Sequence, residues 1–183
     1  DTFVEPQKKE KSNKNNLNFN GKEMLYELTG TDLAEIFGIT ETNAIEIISE
    51  VGLDMSKWPT VKHFTSWLNL APNNKISGGK VLSSRIPKKK NHAGQIFRMA
   101  AFAIQRSKNW LAMFYNRIKA KNGAPKAIVA TARKIAAIFY KMIKERVKFN
   151  PIPIEKYMDG FKENQIKKLK RQAKNLGLQI VEM

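Results

Sequence analysis

Apolar residues recur at helical spacing along most of the chain and lose that spacing in one place. Between Lys22 and Leu53 the pattern predicts two or three short helices. Met24, Leu25 and Leu28 fall on one face of the first. Thr31 and Asp32 supply a cap for a short helix through Leu33 and Ile36, which Gly38 ends. Thr40 opens the next, with Ala44, Ile45, Ile47, Ile48 and Val51 inward and Gly52 terminating it. Thr60 to Leu70 predicts another amphipathic helix, with Val61, Phe64, Trp67 and Leu68 at helical spacing. Its His63 reads as a surface or packing residue.

Periodicity fails from Pro72 to about Asn91. Asn73-Asn74-Lys75-Ile76-Ser77-Gly78-Gly79-Lys80 is rich in turn formers, and Val81 to Ile86 reads as a short extended segment before Pro87 and Lys88-Lys89-Lys90. A basic loop of this length between good helices is where function tends to sit. Helical spacing then returns over about Ala93–Ile104 and Trp110–Ile118. A third long helix opens at Ala124-Pro125 with Ile128, Ala132, Ile135, Phe139 and Met142 as its buried stripe. After Pro151 and Pro153 a basic helix is expected over roughly Lys162–Asn175, with Ile166, Leu169 and Ala173 on a packing face. A short strand or docked tail follows at Leu178 to Val181. The fold class is therefore mainly α: a helix-hairpin-helix-like unit and a helical bundle, with a basic loop or short β-hairpin. The chain divides into a polar linker or disordered end over residues 1–21, a body over 22–150 and a basic helical extension over 151–183.

Charge changes this picture more than composition does. The 183 residues hold 33 Lys and Arg against 16 acids, a net charge of +17. Such an excess repels itself in a compact body, and a polyanionic partner is the usual compensation. Between Asp54 and Glu145 there is no acid at all, while that window carries 19 Lys and Arg and all three Trp. A core-forming stretch with a wholly basic surface has the electrostatic footprint of a nucleic-acid-binding body. Arg98, Arg117 and Lys134 can each face DNA or solvent. The same stretch has no carboxylate to hold magnesium or act as a base. The absence of cysteine excludes disulfides, thiolate metal sites and a cysteine nucleophile. No apolar run approaches the roughly 20 residues of a membrane span, so the expected partner is nucleic acid and not membrane. The expected location is cytoplasmic. The start at Asp1 rather than Met reads as a chain cut from a longer one.

Two features carry candidate chemistry. Helix, Gly38 turn and helix form the outline of a unit whose turn amides can hold a DNA phosphate, although Thr40 stands where a second glycine is usual. Ser77-Gly78-Gly79-Lys80 combines a hydroxyl, two residues that let backbone approach an anion, and a cation. Lys80 and Arg85 can stabilise charge on a phosphorane-like transition state. The spacing is not that of a P-loop. On composition alone, phosphate binding is favoured over catalysis.

A family resemblance alters that balance. Leu28-Thr29-Gly30-Thr31-Asp32-Leu33, Ile47 to Gly52, Trp58-Pro59-Thr60 and Ser66-Trp67-Leu68 resemble the IS-one-ten family of bacterial insertion-sequence transposases. Pro72 to Arg85 resembles that family's most diagnostic motif. Arg98-Met99-Ala100-Ala101 and Gly123 to Ala127 match as well, as does the basic C-terminal helix. The resemblance implies a two-part enzyme in which a RuvC-like nuclease domain with four acids and magnesium completes a site with this helical domain. It implies that Ser77 attacks a DNA phosphodiester to form a phosphoserine link, and that the chain without the acidic domain is inactive. It further implies a structured non-coding guide RNA and homo-oligomers as partners, in a bacterial, nucleoid-associated setting, with no metal or cofactor bound by this chain itself. Gly78, Gly79, Lys80, Arg85, Lys88, Lys89, Lys90, His92 and Arg98 are then the phosphate- and DNA-binding candidates. His92 stands where relatives often carry a basic residue. Ser83 and Ser84 are rival nucleophiles, which the motif and the flanking glycines disfavour. The opposing readings are a non-catalytic basic helical module that binds DNA or RNA, and a basic helical ribosomal protein.

Overall fold

A computed structural model describes residues 17–72, 74–85 and 91–179. Among the described residues it is mainly helical, with seven α-helices and one two-stranded antiparallel hairpin. Helix α1 (Gly21–Thr29) starts where Asn20 Oδ1 accepts the Glu23 N–H at 3.2 Å. A short 3-10 turn, Leu33–Glu35, is capped by Asp32 as the sequence predicts. Helix α2 (Glu41–Val51) starts at Thr40, whose hydroxyl accepts the Asn43 N–H, and buries Ala44, Ile47 and Val51. Helix α3 is shorter than the spacing predicts, Val61–Trp67, because Asn69 takes a left-handed conformation and turns the chain.

The bundle is built on α4 (His92–Ala103), α5 (Trp110–Asn122) and α6 (Ala124–Glu145). Asn91 and Asn109 cap the first two through their side-chain oxygens. Pro125 sits in the first turn of α6, where its missing N–H has no helical partner to lose. Helix α6 is central: of its predicted stripe, Ala132, Ile135, Phe139 and Met142 are buried and Ile128 is only partly so, and the helix packs on α3, α4 and α5. Phe64, Phe97 and Phe139 run through the core in edge-on contacts of 6.5 and 5.4 Å. The Tyr140 hydroxyl donates to the Trp58 carbonyl at 2.7 Å and accepts from Lys144, tying α6 to the start of α3.

The turn before α2 lies against α4. A Cβ on Gly38 would meet the Ala100 carbonyl oxygen at 2.7 Å, and its φ is +85°. The Ile39 N–H is already bonded to the Ile36 carbonyl. Close packing therefore accounts for this glycine without a phosphate.

Three expectations about faces change. Leu28 and Trp67 are largely exposed rather than inward. The C-terminal helix, α7 (Ile154–Asn175), begins eight residues before the expected start, and none of its residues is buried. Ile166 and Leu169 are exposed, so the packing face predicted for them is uncovered among the described residues. Of the strand or tail at residues 178–181, the first two are irregular and the others lie outside the described residues.

Candidate functional site

Local sequence builds the basic loop into a hairpin. Strands β1 (Lys75–Ser77) and β2 (Lys80–Ser83) pair antiparallel around Gly78 and Gly79. Both glycines have positive φ, +54° and +73°, the backbone that a two-residue turn needs to match strand twist. The turn is thus one reason for the paired glycines, in addition to any approach of an anion. A β-branched residue there is strained by roughly 1–3 kcal/mol. Gly79→Val should accordingly open the hairpin and erase the cross-strand NOE between Ile76 and Val81, whereas Gly78→Asn should retain it.

Register decides which side chains share a face. Ser77 lies directly opposite Lys80 and Ile76 opposite Val81. Opposed residues project to the same side of a sheet, and neighbours along a strand alternate. Ser77 and Lys80 therefore occupy one face, and Ile76 and Val81 the other. A register shift between Ile76 and Lys75 pairs Lys75 with Ser83, which adds both to the polar face. Ser83 Oγ accepts the Arg85 N–H at 3.4 Å, so its hydroxyl is engaged locally. Ser77, Gly78, Gly79, Lys80, Ser84 and Arg85 are all exposed. So are Ile76, Val81 and Leu82, at 63%, 58% and 70%. The hairpin's contacts are chiefly between its own two strands, and it stands out from the bundle as a basic arm.

The foot of this arm is tied at two points. Arg98 Nη2 donates to the Asn69 carbonyl at 2.7 Å, and Asn91 Nδ2 donates to the Trp67 carbonyl at 3.2 Å. These bonds join the chain just before the arm to the chain just after it. Glu50 of α2 accepts the Ala93 N–H, and Glu46 lies 3.8 Å from His92 Nε2. The acid-free stretch thus borrows its carboxylates from α2, at the positive end of α4.

The predicted site residues separate accordingly. Ser77, Gly78, Gly79 and Lys80 come together at the hairpin tip, and Arg85 follows β2. His92 and Arg98 belong to the foot, on α4. Arg98 is half-buried, burial pulls its guanidinium below the usual pKa, and one of its nitrogens is bonded to protein. Lys88, Lys89 and Lys90 lie outside the described residues. Sequence reasoning missed Asn91, Asn69 and Glu50. An Asn before a helical run is a legible cap, but its bond to Trp67 depends on how the chain returns. Among the described residues no three His, Asp or Glu come together in a way that could hold a metal ion, so the described donors do not fit one.

Residues 30–116 match the Transposase IS116/IS110/IS902 family. That match supports a transposase-related function, which implies interaction with DNA. It runs from the end of α1 into α5 and so contains the whole arm and its foot, and leaves α6 and α7 outside it. No curated protein matches the chain. None of the described helices is long and apolar enough to cross a membrane.

Proposed function

We propose that this chain is the serine-bearing, DNA-binding part of a transposase in which Ser77 is the attacking nucleophile. The observation that carries the reading is the pairing of Ser77 with Lys80 on the polar face of an exposed hairpin, inside the stretch that matches the transposase family. A hydroxyl at the tip of a protruding arm can reach a phosphodiester that a concave pocket would not admit. The directly opposed ammonium of Lys80 is placed to stabilise charge on the phosphoryl oxygens as it develops. In the reaction the Ser77 Oγ–phosphorus bond forms while a phosphorus–oxygen bond to the sugar breaks, leaving phosphoserine and a free sugar hydroxyl. Serine is a poor nucleophile until a base takes its proton. No acid lies between Asp54 and Glu145, and the two carboxylates that α2 brings to the foot are engaged with the Ala93 N–H and His92, so we assign the base to the RuvC-like acids that the resemblance implies. Lys75, Lys80 and Arg85, with Lys88, Lys89 and Lys90, neutralise the DNA backbone. Guidance by a structured RNA and action as a homo-oligomer belong to the same proposal.

The test joins the chain to an acidic nuclease domain of that kind and adds magnesium, guide RNA and labelled DNA. The expected product is a protein–DNA adduct that survives denaturant, maps to Ser77 and is absent from Ser77→Ala. DNA cleavage without an adduct would reduce Ser77 to a phosphate ligand.

A further inference from the structure

Away from the arm, α5, α6 and α7 bring two cations and four aromatic rings into one corner. The Arg117 guanidinium lies over Phe114, Tyr157 and Phe161, at 5.4, 5.6 and 4.7 Å from their ring centroids. The Lys134 ammonium lies over Trp110 and Phe114 at 5.6 and 4.8 Å. Both cations therefore share the Phe114 ring, on adjacent helices, and neither has a carboxylate partner among the described residues. Burial and the charge of Arg117 together pull Lys134 below the usual lysine range. Ring faces offset only part of the repulsion between two half-buried cations. Two donors of the same corner are also unsatisfied. Trp110 is buried and its Nε1–H has no partner, and the Tyr157 hydroxyl, on a ring 5.8 Å from that of Trp110, has none either. Buried polar groups are nearly always bonded, so each orphan calls for an acceptor.

Two cations without an acid, beside two buried hydrogen-bonding groups that have no protein partner, suit an anion. We infer that this corner is a second nucleic-acid site, which seats a backbone phosphate of a single strand between Arg117 and Lys134 against the aromatic rings. A phosphate oxygen accepts hydrogen bonds, which matches a corner whose Arg117, Lys134 and Trp110 groups only donate and whose Tyr157 hydroxyl can donate. Half-exposed rings beside paired cations suit single strands, whose unpaired bases can pack against them. The net charge of +17 favours a polyanion over an isolated carboxylate. Half-exposure of Arg117, Lys134, Phe114 and Phe161 leaves the corner open to solvent. The inference rests on nucleic acid as the partner and not on the chemistry of Ser77.

The test measures binding of the chain to labelled oligo-uridylate, oligo-thymidylate and duplex probes of about 20 nucleotides over a range of salt. Arg117→Gln with Lys134→Gln should weaken single-strand binding about 10- to 50-fold and flatten the salt slope by about 0.7–1.4, the share of one or two phosphates on a single strand. The uridylate and thymidylate arms distinguish RNA from DNA as the source of the phosphate. The control removes the same charge from exposed positions on the same helices, Lys119→Gln with Lys126→Gln. Equal loss of affinity and slope in the two pairs would overturn the assignment. Should the corner variant melt early, the wild-type chain still decides. Its Trp110 indole N–H resonance, assigned with Trp110→Phe, must shift on saturation with the single strand, and a fixed resonance would overturn the site. Corner-dependent binding of oligo-glutamate but not of the single strands would reassign it to an acidic protein. Single-strand binding is read without magnesium or an acidic domain and so without strand transfer, which makes failure of the strand-transfer reading and failure of this one distinguishable.

Discussion

Ser77→Ala, in the chain joined to its acidic domain, should lower strand transfer by about 10⁴- to 10⁶-fold, the scale on which loss of a nucleophile acts. Binding of the same DNA should fall by less than about tenfold, since a neutral hydrogen bond nets only roughly 0.5–1.5 kcal/mol. The split between rate and affinity separates a nucleophile from a phosphate ligand, which would lose both by similar small factors. Ser83→Ala and Ser84→Ala are the informative comparisons. Ser83 shares the polar face with Ser77, yet its hydroxyl accepts the Arg85 N–H and it lies farther from the tip. Both variants should keep strand transfer within about tenfold of wild type, the most that loss of one neutral hydrogen bond would cost. A larger fall for Ser83→Ala than for Ser77→Ala would move the nucleophile along the strand.

Gly94→Ala should destabilise the fold by about 3 kcal/mol, at the upper end of the cost of overpacking a tight contact. A Cβ at Gly94 would collide with the Leu68 carbonyl oxygen and come within 3.0 Å of Asn91 Oδ1. The first of these is backbone and cannot rotate away. The second is the cap of α4, which also reaches the Trp67 carbonyl. Replacing a helical glycine by alanine ordinarily gains roughly 0.5–1 kcal/mol, so the collision must outweigh that gain. Gly160→Ala supplies the contrast. It lies within α7 with nothing within 4 Å of the added Cβ, and should show the gain alone. Urea unfolding of the two variants should therefore move the midpoint in opposite directions. A midpoint for Gly94→Ala at or above that of wild type would mean that α3 and α4 can separate at the foot of the arm without loss.

Much of the candidate site is legible in the amino-acid sequence. Ser77-Gly78-Gly79-Lys80 announces a turn carrying a hydroxyl and a cation, and Val81 onward announces an extended segment, whereas the strand at Lys75–Ser77 is hidden among turn formers. The foot is not legible there. The Arg98 bond to Asn69 spans 29 positions and the Glu50 bond to Ala93 spans 43, so no local pattern signals either one. Trp67 misleads for a related reason. Its spacing fits a helix continuing to Leu70, but the left-handed turn at Asn69 ends that helix early. The face that a residue presents depends on where its helix stops.

By itself the sequence determined the helical class, the central stripe of α6, the caps at Asp32 and Thr40, and the basic surface between Asp54 and Glu145. These follow from local spacing, local hydrogen bonds and charge counts, which are properties of neighbours along the chain. Only the tertiary structure decided that Ser77 faces Lys80, that Arg98 supports the arm from its foot, and that Arg117 meets Lys134 over one aromatic ring. The first depends on the register of a hairpin, and the other two on helix packing, where residues distant in sequence are brought together by burial that no local pattern records.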